Sequence, residues 1–183
     1  MKEYEFTLKF SLNSESIEAD AYIDALEKEG CDDAIIGIGQ NGRIALQFNR
    51  EANTALQAVI SAIKNVEKAI PTAKLIEATP DLVGVTDIAQ TLSFSRQYMR
   101  KLMLSNKDSF PAPIHEGKAS LWHLSTVLAW LRKENRYSIN ATLLDVAEAN
   151  MQLNFYKESS SFSSSIQSQL MEISKENLTS CSS

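Results

Sequence analysis

The chain has 183 residues, 44% of them hydrophobic, and a formal net charge of −5. This length allows one domain or two small ones, and the apolar content supports a buried core and excludes a wholly disordered chain. The acidic balance argues against a nucleic-acid partner unless positive charge is concentrated locally, because a phosphate backbone responds to the local field.

Several other classes of protein are disfavoured by the sequence. No apolar run approaches the roughly 20 residues that span a bilayer, so we expect no membrane partner. The N-terminus does not resemble a signal peptide, and with only Cys31 and Cys181 we expect a cytoplasmic protein without disulfides. His115 and His123 have no cysteine neighbours at metal-ligand spacing, and no catalytic constellation is apparent. We therefore expect no metal, no cofactor and no enzymatic activity.

Positive charge is concentrated in one segment. Residues 1–80 contain 8 basic and 13 acidic side chains, whereas residues 94–137 contain 8 basic and 3 acidic ones. This reversal indicates a surface for nucleic acid, although a solvated helix face is an equally good interpretation of the charge alone.

The first 80 residues predict a β-α-β-β-α-β order. Strict alternation in residues 4–12 predicts a strand that buries Phe6, Leu8, Phe10 and Leu12. A helix is predicted over 15–29, with Gly30 as its C-cap, and a second over 51–70 with an apolar stripe. The members of that stripe are Leu56, Val59, Ile60, Ile63, Val66 and Ile70.

Two short β-rich runs lie between these helices, and a third follows them. The runs "DAIIGIG" and "RIALQF" meet at Asn41-Gly42, which predicts a hairpin, and "AKLIEA" predicts the last strand. The whole order matches a ferredoxin-like arrangement. Residues 37–42 also fit G-x-G-x-x-G, but a strand rather than a helix follows, so we predict hairpin glycines and no nucleotide site.

Residues 78–84 are predicted to be a linker, and a pair of helices follows it. In the first helix Val85, Ile88, Ala89 and Leu92 share one face, and Thr86 is the expected N-cap. The break at residues 93–95 leads into a helix over 95–104 with Ser95 as N-cap. In this helix Met99, Leu102 and Met103 are expected to be buried. The 3.6-residue period places the polar residues within an arc of about 140° around the helix axis, and these are Arg96, Gln97, Arg100 and Lys101.

The segment after this helix pair predicts a β-arm and a closing helix. An extended stretch from Pro111 to His115, a turn at 116–118 and a return strand through Trp122 are followed by a helix over 125–132. Trp122 and Trp130 are expected in the core, together with Val127, Leu128 and Leu131.

Residues 81–132 resemble the winged helix-turn-helix of bacterial regulators of the phage-excisionase and MerR type. The succession is "DLVGVTDIAQTLSFSRQYMRKLM", then "FPAPI", then a tryptophan followed by "LSTVLAWL". The resemblance implies double-stranded DNA binding as a homodimer, in transcription regulation or recombination and in association with the nucleoid. The whole chain also resembles bacterial DNA-binding proteins with a ferredoxin-like front domain.

Carried over by position, the recognition helix is 95–104 in the major groove and the β-wing is 111–122. The expected DNA contacts are Ser95, Arg96, Gln97, Tyr98, Arg100, Lys101, Lys107, His115 and Lys118. The chain departs from the family at Ser93, where glycine is usual and a slightly different turn is therefore expected. It also departs at His123, where arginine is frequent, and at Leu104, which either meets a thymine methyl or packs under the wing.

Three regions are thus expected: a ferredoxin-like domain over 1–79, a winged helix-turn-helix domain over 80–137, and a C-terminal helix with a serine-rich tail over 138–183. The apolar surface of 141–157 indicates either packing on its own domain or a dimer contact. From residue 159 serines dominate, and partial disorder is expected around a helical rhythm at Phe162, Ile166, Leu170 and Ile173. A rival hypothesis is a protein-interaction adaptor, antitoxin-like or a defence-system partner, that binds through the N-terminal domain or the C-terminal helix.

Overall fold

The computed structural model describes residues 1–12, 22–37, 42–134 and 137–171. Within them the protein is a mixed α+β structure with a four-stranded antiparallel sheet and seven helices, which confirms the predicted α+β class. In chain order the elements are β1 (Lys2–Ser11), α1 (Ile23–Lys28), β2 (Ala34–Gly37), β3 (Arg43–Ala52), α2 (Ala55–Ala69), β4 (Lys74–Thr79), β5 (Leu82–Val83), α3 (Val85–Thr91), α4 (Arg96–Ser105), β6 (Trp122–His123), α5 (Leu124–Lys133), α6 (Ala141–Ser159) and α7 (164–171).

The chain divides into two compact units, the first Met1–Gln152 and the second from Leu153 onward. Helix α6 begins in the first unit and ends in the second. The predicted domain boundaries after residues 79 and 137 stay predictions.

The large sheet has the strand order β2-β3-β1-β4. The predicted alternation in β1 is confirmed, because Phe6, Leu8 and Phe10 are all at most 2% exposed. Phe6 pairs with Phe48 of β3, and their rings stack with centroids 5.4 Å apart. Two adjacent long strands thus supply one apolar face, on which the helices pack.

The other face of this sheet is polar and is held by cross-strand pairs. Nε2 of Gln47 donates to Glu5 at 2.8 Å, and Nδ2 of Asn49 donates to Glu3 at the same distance. Lys9 forms an ion pair with Glu77 of β4 at 2.9 Å. Such pairs stabilise neighbouring strands where no apolar layer covers them.

Helix α2 differs from its prediction in its start and in its buried face. Residues 51 and 52 belong to β3, and the helix begins after Thr54, whose side chain accepts a hydrogen bond from Gln57 N at 3.2 Å. Leu56 and Ile60 are 46% and 39% exposed, so the predicted stripe is wrong at these positions. Alanines bring the helix close to the sheet and turn the larger side chains outward. The buried residues are Ala55, Ala58, Val59, Ala62 and Val66.

Helix α1 ends as predicted, with Gly30 just beyond its last turn. Gly30 has φ 84°, its N–H donates to Glu27 O, and Cys31 N donates to Leu26 O. This pair of bonds satisfies helix-end carbonyls and requires a left-handed residue, which glycine supplies without strain. The start of the predicted 15–29 helix, with Ile17 and Ala21, lies outside the described residues.

The glycine-rich hairpin is described on both sides of its loop. Gly37 ends β2, Gly42 has φ 73°, and β3 begins at Arg43. A strand therefore follows the last glycine, as predicted. Residues 38–41 lie outside the described part of the chain.

Arg50 is a buried cation that joins three parts of the fold. Its guanidinium makes two bonds to the Asp33 carboxylate, at 2.7 and 2.8 Å, and a third to Gly30 O at 2.6 Å. It also donates to Ser61 Oγ of α2 at 3.1 Å and lies 4.8 Å from the Phe48 ring centroid. The residue is 8% exposed, so these partners compensate the loss of hydration.

Replacement of Arg50 by methionine should lower the free energy of unfolding by about 2–4 kcal/mol, since it leaves the Asp33 carboxylate without its donor and removes one of the two donors to Gly30 O, the other being Asn65 Nδ2 at 2.8 Å. Urea denaturation measures this. Arg43→Met is the matched control, because Arg43 is exposed on the same strand and should change stability by less than about 0.5 kcal/mol. Equal effects at the two positions would contradict the role given to Arg50.

Candidate nucleic-acid interface

Helices α3 and α4 form a closely packed pair. Helix α3 begins after Gly84, whose N–H donates to the Asp87 carboxylate at 2.9 Å. The prediction of Thr86 as N-cap is therefore wrong, and the chain enters the helix two residues earlier. A carboxylate at the third helical position accepts a hydrogen bond from the backbone N–H of the capping residue and interacts favourably with the positive end of the helix dipole. Both interactions stabilise the start of α3.

The turn between the two helices is built on Ser93, which has φ 55°. Ser93 N donates to Gln90 O at 3.0 Å, and Phe94 N donates to Ala89 O at 2.7 Å. This is the same pair of bonds that Gly30 makes after α1. The expectation of a different turn is wrong, because Ser93 adopts the left-handed conformation itself. Ala89, on the predicted apolar face of the first helix, is 2% exposed.

Helix α4 has one buried and one charged side. The Ser95 side chain accepts a hydrogen bond from Tyr98 N at 3.1 Å, which confirms the predicted N-cap. Met99 is fully buried, with Leu102 and Met103 packed against the same core. On the opposite side, four polar side chains are exposed on consecutive turns. They are Arg96, Gln97, Arg100 and Lys101.

Within the described residues, the cations of this face have no ion-pair partner. None of the carboxylates in the described ranges lies within 4.0 Å of Arg96, Arg100 or Lys101, whereas Lys2, Lys9, Arg50 and Lys68 of the large-sheet region each contact one. Positive charge on the α4 face thus has no direct ion pair with the described residues around it, which favours contact with an anionic backbone.

The other predicted contacts near α4 are also exposed. Tyr98 is 43% exposed, but its hydroxyl lies 2.9 Å from the Tyr137 hydroxyl and its ring packs edge-on against Phe94. Lys107 lies in the turn that follows the helix. Leu104 is 64% exposed, which favours the outward alternative over packing under the arm.

The segment 111–123, here called the arm, folds back on itself as predicted. Ile114 N donates to Leu121 O at 2.8 Å, and Leu121 N donates to His115 O at 3.0 Å. The returning strand β6 also pairs with β5. His115 and Lys118 are exposed in the connection. Gly117 lies against the His115 ring, so closely that an added Cβ would be 2.8 Å from Nε2.

The predicted linker 78–84 is instead an ordered part of the site, with Thr79 in β4 and residues 82–83 in β5. Asp81 between them is only 2% exposed. Its Oδ1 lies 2.6 Å from His123 Nδ1, and its backbone oxygen accepts from Leu124 N at 2.7 Å. Sequence reasoning missed Asp81 and its contact with His123.

A common core lies beneath the helix pair and the arm. Trp122 and Trp130 are 5% and 9% exposed, and Phe110 packs edge-on against both rings, as expected for core tryptophans. The predicted helix after the arm is α5, and its predicted inward residues are buried. These residues are Val127, Leu128, Trp130 and Leu131.

Helix α6 adds its first three turns to this core. Leu144 and Ala147 belong to the same apolar cluster, and Nδ2 of the buried Asn150 donates to Pro80 O at 3.3 Å. Of the two interpretations of residues 141–157, packing on the chain's own core therefore holds for this portion.

All nine predicted contacts are exposed, and the structure gathers six of them, Ser95 to Lys101, around one helix. Sequence reasoning missed Gly84 and Tyr137. Gly84 could have been found from Asp87 three residues later, which is a capping signal. Nothing in the sequence links Tyr137 to Tyr98.

Other kinds of site have less support. Burial raises the pKa of the Cys31 thiol to about 11, mainly by desolvation, so Cys31 stays protonated at neutral pH. Within the described ranges, no helix combines the length and the apolar composition that a membrane crossing requires.

Comparison of the chain with protein-family models, curated proteins and solved structures found no match.

The Ser93 turn should be strained by its side chain. Ser93→Gly should raise the free energy of unfolding by about 0.5–1 kcal/mol, because glycine adopts a positive φ without steric conflict. Ser93→Ala is the matched control and should give no gain, since alanine keeps the Cβ. If both variants unfold at the same urea concentration, the turn stores no such strain.

Proposed function

We propose that this protein is a sequence-specific, double-stranded DNA-binding regulator in which α4 enters the major groove. The observation that carries the proposal is the α4 face, on which exposed cations, without carboxylate partners in the part of the chain that the structure describes, lie opposite the buried Met99. A helix held rigidly on its apolar side can present its polar side to base edges in a fixed register.

The side chains of α4 suit base recognition at one end and backbone contact along the helix. Arg96 and Gln97 lie in the first turn, the end that recognition helices place deepest in the groove. An arginine can bind guanine O6 and N7, and a glutamine adenine N6 and N7, in each case through two hydrogen bonds. Arg100, Lys101 and the Ser95 hydroxyl are suited to phosphates.

The rest of the chain supports a winged arrangement beside a ferredoxin-like domain. Helix α3, the Ser93 turn, α4, the paired arm and α5 follow in the order of a winged helix-turn-helix. In this arrangement Lys118 and His115, which are exposed in the arm, would contact sugar-phosphate. The strand order β2-β3-β1-β4 with two intervening helices supports the ferredoxin-like assignment.

The charge distribution would orient the encounter with DNA. Residues 1–80 have a net charge of −5 and residues 94–137 one of +5. A phosphate backbone would be repelled by the first segment and attracted by the second, so productive collisions would favour the α4 face.

The direct test is selection of binding sites from a random double-stranded library with the purified protein, where an enriched motif is expected. Arg96→Ala and Gln97→Ala should each relax the preference at one position, by about 1–3 kcal/mol of discrimination. Lys101→Ala should weaken all sites alike. Lys64→Ala, an exposed lysine of α2, is the control and should change neither property.

The salt response gives an independent check. If each copy contacts about four phosphates, log affinity should fall with log salt at a slope of roughly −3.6, and Lys101→Ala should reduce that slope by about 0.9. Fluorescence anisotropy across a salt series measures both values. A flat response would contradict DNA binding through this face.

The protein-interaction adaptor remains the rival proposal. If it is correct, the library selection yields no enriched motif. The protein would then be found in a stoichiometric complex with another protein, and that complex would persist at high salt.

A further inference from the structure

We propose that Tyr137 is a positioning residue for DNA binding, which holds the Tyr98 hydroxyl in place to donate to a phosphate oxygen of the backbone. The inference rests on the proposed function and deepens it. Tyr137 belongs to the connection between α5 and α6, beyond the segment 81–132 that carries the family resemblance. Its role is therefore one that the resemblance does not imply.

The Tyr137 ring is fixed by the core beneath α4. It is partly buried and packs against the apolar cluster that contains Met99 and both tryptophans. Phe94, in the turn before α4, packs against the same cluster. Its ring centroid lies 5.1 Å from that of Tyr98 and 5.5 Å from that of Tyr137. The three rings therefore form one aromatic cluster, which Phe94 and Tyr137 attach to the core.

Tyr98 is the most exposed member of this cluster. It is 43% exposed and is the third residue of α4, where its N–H donates to Ser95 Oγ. Phe94 supports its ring, and the Tyr137 hydroxyl lies 2.9 Å from its hydroxyl. These two contacts limit the rotation of an exposed side chain before any partner binds. The entropy cost of ordering it on DNA is correspondingly smaller.

The pair of hydroxyl groups is suited to an acceptor outside the protein. The two groups share one hydrogen bond, in which either can be the donor. When Tyr137 donates, the hydrogen of Tyr98 is directed to an external acceptor, and the bond that Tyr98 accepts strengthens the one that it donates. A phosphate oxygen is such an acceptor, and tyrosine side chains are among the usual donors to it.

Fluorescence anisotropy with the full chain tests the proposal, on a duplex that carries the motif enriched from the library and on a scrambled duplex. Tyr98→Phe should weaken binding about tenfold, because it removes the phosphate donor. Tyr137→Phe should weaken it roughly threefold to tenfold, because it removes only the restraint. Both losses should be equal on the two duplexes, since a backbone contact carries no sequence information. The salt slope should stay unchanged, since tyrosine is neutral.

Two comparisons separate positioning from a general structural role. In a Tyr98→Phe background, Tyr137→Phe should cause no further loss of affinity, because Tyr137 acts through Tyr98. The urea midpoint of Tyr137→Phe should stay close to that of the unchanged protein, because the ring is kept. Tyr4→Phe is the control. It removes a hydroxyl that donates to Asn53 O in the large-sheet region and should leave DNA affinity within about twofold.

Two results would overturn the inference while the proposed function stands. One is unchanged affinity in Tyr137→Phe with a loss only in Tyr137→Ala, which would reduce the role of this residue to ring packing. The other is a double variant in which the two losses add, which would make the two hydroxyl groups independent. A protein that binds neither duplex would overturn the proposed function and this inference together.

Discussion

The candidate interface depends on one buried carboxylate, that of Asp81. Its side chain contacts His123 and its backbone oxygen caps the start of α5 at Leu124, so one residue joins the strand before α3 to the strand that closes the arm. A carboxylate that is 2% exposed is tolerated only when its partners replace its water. The segment that leads into α3 and the end of the arm are therefore joined at Asp81. We infer that this connection helps to fix the positions of the exposed side chains on α4 and on the arm.

Helix α4 combines tight packing on its buried side with positive charge on its exposed side. Met99 anchors α4 in the core that contains both tryptophans, while the Ser93 turn and the Tyr98–Tyr137 contact restrain the start of the helix. Each restraint limits the conformational freedom of α4 before binding, so the entropy cost of ordering its side chains on a partner is smaller. The exposed cations of this face thus belong to a restrained helix, which favours selective contacts over non-specific electrostatic binding.

The features that could be predicted from the sequence are those decided within a few residues. Alternation in β1, the Gly30 cap and the Ser95 cap depend on local periodicity and on single side chains, and they were predicted correctly. The buried face of α2 was predicted incorrectly. Leu56 and Ala55 both fit a helical apolar stripe, and only the distance between the helix and the sheet decides which of the two is buried. Asp81 was missed for a similar reason. Its partner His123 is 42 residues away, and no local pattern marks the pair.

The Arg50 cluster has a consequence for the order in which the fold forms. All four of its partners lie within 20 residues of Arg50 along the chain, whereas β1 and β4 join residues as much as 72 apart. Closing a short loop sacrifices less chain entropy than closing a long one, so contacts of low sequence separation form sooner. We therefore expect the region from Gly30 to Ser61 to associate around the guanidinium first and to offer β1 a template. Strand β1, one of the two inner strands of the sheet, would then be the first in sequence and among the last to be placed.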